Sequence, residues 1–87
     1  MIKLVSIRPA GEAMLDLAFS DGSGARWSAA ALLERDTELT RPLADPAYFA
    51  RVFIEAGALA WPNGLELSAQ GLHRRLDEAG ALKRAAA

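Results

Sequence analysis

Cysteine is absent from this chain of 87 residues, which excludes a disulfide framework, a thiolate nucleophile and a thiolate metal site. Its absence fits a reducing compartment. Histidine occurs once, at His73, so the chain lacks the second imidazole that the usual metal site needs. No apolar run approaches the roughly 20 residues that a membrane span requires. Met1-Ile2-Lys3-Leu4-Val5 enters strand-like sequence with no separate signal-peptide core. A cytoplasmic protein with no membrane partner is the expectation. A strong charge bias is also missing, since 10 basic and 11 acidic side chains give a net charge of −1. The balance is uneven: residues 1–72 carry six basic and nine acidic side chains, whereas residues 73–87 carry four and two. An acidic body with a mildly basic end does not by charge alone indicate a nucleic-acid binder.

What is present is an ordinary globular composition, 52% hydrophobic and 24% charged. A chain of this length buries only about 60–65% of the surface its unfolded form exposes. Self-association would help such a small core, so a homodimer is expected. The spacing of apolar residues predicts one α+β domain over residues 1–80 and a tail over residues 81–87. Ile2 to Arg8 is β-rich with apolar residues on both faces, which predicts a strand with little exposure. Pro9 to Glu12 reads as a turn. Met14 to Phe19 alternates cleanly, with Leu15, Leu17 and Phe19 on one side and Asp16 and Ser20 on the other, as in a half-buried antiparallel strand. Ser20 to Gly24 is a loop, and Ala25-Arg26-Trp27 returns as a third strand with Trp27 inward.

Ser28 is placed to cap a short helix over Ala29 to Glu34. Arg35 to Pro42 is polar and irregular, with Leu43 plugging the core behind it. Asp45-Pro46 has the cap-then-proline form of a helix start. Val52-Phe53-Ile54 is a strand, Gly57 a reversal, and Ala58 to Trp61 the strand that follows. Pro62-Asn63-Gly64 then turns the chain, because Asn and Gly tolerate positive φ and Pro62 fixes its own. Leu65 to Leu67 is extended. Ser68 caps a last helix in which Ala69, Leu72, Leu76 and Ala79 share one stripe, and Gly80 stops it. The order is β-β-β-α-α-β-β-α, with a short extra strand before the last helix. A small, mostly antiparallel sheet with helices packed on one face would hide Leu15, Leu17, Phe19, Trp27, Phe53, Ile54, Leu59 and Trp61.

Few residues are grouped for chemistry. His73 with Asp77 one helical turn on, and Glu66 upstream, could begin a metal site. Three or four ligands are needed, however, and a solvent-facing helix side chain beside Arg74 is the preferred reading. Ser6, Ser20, Ser23, Ser28 and Ser68 lack the base and orienter that activate a hydroxyl, and no Gly-x-Ser-x-Gly elbow is present. Ser28 and Ser68 are explained as caps. Asp21-Gly22-Ser23-Gly24 is too short and too acidic to cradle phosphate. Asp16 and Asp21 read as a strand-face residue and a turn residue rather than paired carboxylates. No catalytic residue, metal or cofactor is therefore assigned. Arg74, Arg75, Lys83 and Arg84 are the candidate nucleic-acid contacts, opposed by Asp77 and Glu78.

One set of residues is more specific. Phe19-Ser20-Asp21-Gly22, then Leu32-Leu33, then Pro42-Leu43-Ala44-Asp45-Pro46 with Phe49 and Val52, then Trp61-Pro62-Asn63-Gly64-Leu65-Glu66-Leu67 occur in that order. In this the chain resembles a widespread bacterial family of small proteins, the domain-of-unknown-function family 2442, over about residues 2–68. The resemblance implies a compact α+β domain, with no catalytic residues to carry over. It also implies a place in a two-protein, toxin–antitoxin-like pair. Glu66 departs from the pattern, which commonly has Asp after the Asn-Gly pair. The leading expectation is a small non-enzymatic interaction protein, with a DNA-associated dimeric regulator second and an enzyme or ligand-binding domain third.

Overall fold

A computed structural model describes residues 1–84 of the chain. Three antiparallel strands come first: β1 (Leu4–Gly11), β2 (Met14–Phe19) and β3 (Ser23–Ser28). Helix α1 (Ala30–Arg35), a 3-10 turn (Arg41–Ala44) and the single-turn helix α2 (Pro46–Phe49) follow. Three short strands come next, β4 (Phe53–Glu55), β5 (Ala58–Ala60) and β6 (Glu66–Leu67), then α3 (Ala69–Glu78) and β7 (Lys83–Arg84). The protein is an α+β fold in which the antiparallel strands form two sheets, ordered β1-β2-β3-β7 and β4-β5-β6.

The alternation in β2 sets the architecture. Leu15, Leu17 and Phe19 are buried at 1–3% exposure, and the register carries that inner face to Ala25 and Trp27 on β3 and to Ile7 and Pro9 on β1. Leu72 and Leu76 of α3 join the same core, as do Leu32, Leu43, Phe49, Leu59 and Trp61. Trp61 is the largest buried side chain, and its indole lies against Phe49 at 5.7 Å and Trp27 at 6.4 Å between ring centroids. Burying a ring of that size supplies more apolar stabilisation than any other single residue here.

The caps form largely as the sequence predicts. Ser68 Oγ accepts from the Gly71 amide at 3.0 Å and Asp45 Oδ1 accepts from the Ala47 amide at 3.0 Å. Ser28 remains in β3, yet its Oγ accepts the Ala30 amide of α1 at 3.1 Å. At the end of α3, Gly80 takes φ +70° while its amide donates to Asp77 O and the Ala81 amide donates to Leu76 O. This paired closure is the Schellman arrangement, which satisfies carbonyls left over at a helix end.

Four expectations need correction. β1 continues through Pro9 to Gly11, because Pro9 lies on an edge strand where a missing amide is tolerated. Val5 is 60% exposed rather than covered, again because β1 is an edge and its register slips between Leu4 and Ser6. Phe53, expected in the core, is 39% exposed, since Ile54 and not Phe53 points inward from β4. The tail expected over residues 81–87 is part of the sheet at its start. Ser23 pairs with Arg84 and Gly24 with Lys83, after the turn at Gly80 sends the chain back along β3. Residues 85–87 lie outside the described residues.

Candidate functional site

Two places collect the polar residues singled out by sequence. The first is the turn after Trp61. The Gly64 amide donates to Trp61 O at 3.1 Å and the Trp61 amide to Leu65 O at 3.0 Å, closing a tight reversal with Gly64 at φ +93°. Asn63 ties this turn to the opposite loop. Its Nδ2 donates to Leu39 O, its Oδ1 accepts from the Leu65 amide, and its own amide donates to Tyr48 Oη, all within 3.0–3.1 Å. Beneath it, Trp61 Nε1 donates to the buried Phe49 carbonyl at 3.1 Å. Phe49, Leu43, Pro42 and Asp45 thus serve packing, the 3-10 turn and the α2 cap. Glu66 is exposed on β6 and does not line the hollow that holds His73 and Asp77.

The second place is the corner where the β2–β3 turn meets α3. Asp21 sits in that turn, with Gly22 at φ +87°. Its Oδ1 accepts from the Ser23 hydroxyl at 2.5 Å and the Ser23 amide at 3.0 Å, and its Oδ2 lies 2.9 Å from His73 Nε2. The His73 ring stands edge-on to Phe19, with centroids 5.1 Å apart. Arg84 Nη1 donates to the Asp21 carbonyl at 3.3 Å. These bonds hold the Asp21 carboxyl well below the ordinary carboxylate range, chiefly through the Ser23 hydroxyl, then the Ser23 amide, with His73 adding to both. A hollow of about 230 Å³ opens here, lined by Asp21, Ser23, His73, Asp77, Lys83 and Arg84 among others.

His73 is therefore not the freely solvated side chain expected beside Arg74. It lies on the flank of the buried Leu72–Leu76 stripe and is half-buried by its contact with Phe19 and Asp21. Asp77 shares that hollow, but no group of three or more metal-ligating side chains forms among the described residues. The serine, histidine and aspartate here are not ordered for nucleophilic attack either. Ser23 is 5% exposed and its hydroxyl donates a hydrogen bond to Asp21, so the carboxylate stands between hydroxyl and imidazole. A relay that activates a hydroxyl needs the imidazole in the middle. Asp16 is paired across the strands with Arg26, at 2.9 Å, and not with Asp21. That guanidinium, bonded to both Asp16 oxygens, holds its carboxyl low, with Arg8 contributing.

Arg74, Arg75, Lys83 and Arg84 are all exposed but do not share one surface. Helical geometry advances about 100° per residue, so Arg74 points away from the core and Arg75 lies on the flank opposite His73. Lys83 and Arg84 lie on β7 and project to opposite faces of the sheet, as successive strand residues do. The residues that sequence reading missed are Ser23 as a buried partner of Asp21 and the joining of Asp21 to His73 across 52 positions. The one available signal was the place of His73 beside an apolar stripe.

The family model described as protein of unknown function, DUF2442, matches residues 4–78. The chain belongs to the DUF2442 family. In this DUF2442 chain the matched span runs from β1 to the end of α3, so it includes both the Asn63 turn and the Asp21–His73 corner. No curated protein and no solved structure matches the chain. No helix among the described residues is long and apolar enough to cross a membrane.

Proposed function

We propose that this chain is a small non-enzymatic interaction module of the bacterial cytoplasm, the accessory or antitoxin-like member of a two-protein pair, working as a dimer. The observation that carries this reading is where the motif's polar groups are spent. The Trp61 indole N–H, the Asn63 amide and the Asp45 carboxylate all bond to the chain's own backbone. Asp21 bonds to Ser23 and His73. A reacting centre needs such groups aimed at a substrate. Among the described residues every fully buried side-chain nitrogen or oxygen has a partner inside the protein. Recognition then falls to the exterior, where the local distribution of charge rather than the net charge selects the partner.

The test is co-purification from the source cell with mass spectrometry. The expected result is one stoichiometric protein partner, with light scattering giving twice the 9.3 kDa chain mass for the protein alone at tens of micromolar. A chain that elutes without a partner would overturn the pairing, and a monomer mass would overturn the dimer.

A DNA-associated dimeric regulator is the second reading, with the exposed Arg74 and Arg75 of α3 as its contacts and Lys83 and Arg84 on separate faces of β7. It predicts a salt-sensitive shift with duplex DNA that Arg74→Ala with Arg75→Ala abolishes. No binding at low salt would remove it.

A further inference from the structure

The four-stranded sheet buries one face and leaves the other solvated. The register places Ser6, Ala18, Gly24 and Lys83 side by side in one row of that outer face, with Arg8, Asp16 and Arg26 in the next. The first row is low, because three of its four side chains are small. Two shallow hollows meet there at Leu17 and Ala18, one of about 330 Å³ toward β7 and one of about 240 Å³ toward β1. Arg8, Arg26 and Lys83 are exposed around them and Asp16 is the one carboxylate among these positions, so they carry +2 within a chain of net −1. Arg26 is already engaged by Asp16. Among the described residues neither Arg8 nor Lys83 makes an ion pair.

We propose that this outer face is a docking surface for an acidic amphipathic helix of a partner protein, with an apolar side chain seated over Ala18 and Gly24 and carboxylates meeting Arg8 and Lys83. The proposal rests on the interaction-module reading and gives it a location. Three alternatives fit less well. A strand added at an edge would meet β1, which carries Pro9 and two register slips within eight residues, or β7, which has two residues among those described. Short, irregular and proline-bearing edges resist such pairing. A second copy laid face to face would bring two surfaces of like net charge together, which disfavours association. Single-stranded nucleic acid favours aromatic platforms, and these two rows hold none. A helix, in contrast, is the usual cover for an open sheet face. Strands lie about 4.8 Å apart and rise about 3.4 Å per residue, so Arg8 and Lys83, three strands and one row apart, are separated by about 16 Å. That distance corresponds to roughly ten residues of helix.

The experiment is an NMR titration of the full chain with a synthetic helical peptide of leucine and glutamate, a matched leucine and lysine peptide, and a short DNA duplex. The glutamate peptide is expected to shift the amides of Arg8, Ala18 and Gly24. Arg8→Glu with Lys83→Glu is expected to weaken it at least about tenfold, while Arg74→Glu with Arg75→Glu leaves it unchanged. Arg8→Glu alone, with its dispersed spectrum intact, gives the same direction of change and guards against a double variant that fails to fold. Equal binding of the lysine peptide, tighter binding of DNA on this face, shifts centred on α3, or no shift at millimolar peptide would overturn the proposal. A native partner that still co-purifies with the double variant would refute this surface yet leave the interaction reading standing.

Discussion

The turn at Asn63 and the corner at Asp21 are built alike and end differently. Each centres on a short polar side chain beside a positive-φ glycine, Gly64 in one and Gly22 in the other. Each joins chain segments distant in sequence. At Asn63 the bonds run mostly to backbone, above a fully buried Trp61. At Asp21 the carboxylate bonds the buried Ser23 and the half-buried His73, while the exposed Arg84 donates to the Asp21 backbone carbonyl. The first is an exposed turn riveted to the core through Trp61. The second is a joint at the surface, fixing α3 and β7 to the first hairpin. A motif is thus poor evidence of chemistry by itself, since what its polar atoms bond to decides whether it builds the body or faces outward.

Removing the rivet has the largest expected effect. Trp61→Ala deletes the largest buried side chain and leaves the Phe49 carbonyl without its donor, a loss of about 3–5 kcal/mol. In so small a domain that is most of the stability, and the expected result is an unfolded chain by circular dichroism. Retention of a cooperative thermal transition near the wild-type midpoint would show that the indole is not central. Asn63→Ala removes two side-chain hydrogen bonds and is expected to cost about 2 kcal/mol, measured by urea denaturation. An effect below a few tenths of a kcal/mol would make the Asn63 turn no firmer than the Asp21 corner and erase the distinction.

The corner responds to acid instead. The folded-state pKa of Asp21 is depressed, so its contribution is complete above the ordinary carboxylate value and is lost as pH falls through the folded value. Asp21→Asn is therefore expected to be less stable than wild type at neutral pH, with the difference narrowing as pH falls from roughly 4 toward 2. A difference that stays constant over that range would mean that the ionised carboxylate does not hold the corner. The smallest effect is expected at the β4–β5 reversal, where Ala56 and Gly57 both take positive φ, 50° and 84°. This two-residue turn favours glycine or asparagine at its first position, so Ala56→Gly is expected to stabilise by up to about 1 kcal/mol. Destabilisation on denaturant titration would refute that.

Much of the fold was legible because period-two alternation and cap chemistry are local. Leu15, Leu17 and Phe19 announced β2 and its buried face, and Ser68 and Asp45 announced the starts of two helices. What escaped was non-local. Phe53 and Ile54 are both apolar, and only the pairing of β4 with β5 decides which one faces inward. Lys83 and Arg84 have no strand signal of their own, and they become β7 because the closure at Gly80 returns the chain beside β3. The structural part of the site could be read in the Trp61-Pro62-Asn63-Gly64 run. The Asp21–His73 joint could not, since neither residue carries information about the other. The charged outer face of the first sheet escaped for the same reason, being assembled from β1, β2, β3 and β7 only through register.

If the motif builds the body and the outer face of the sheet recognises a partner, the two can be separated by mutation. Tagged wild type, Asn63→Ala and Arg8→Glu with Lys83→Glu should be passed in parallel through lysate of the source cell, at a temperature where all three are folded. Retention of one partner by Asn63→Ala and its loss from the charge-reversed chain is the predicted result. Loss from Asn63→Ala with full retention by the charge-reversed chain would contradict it.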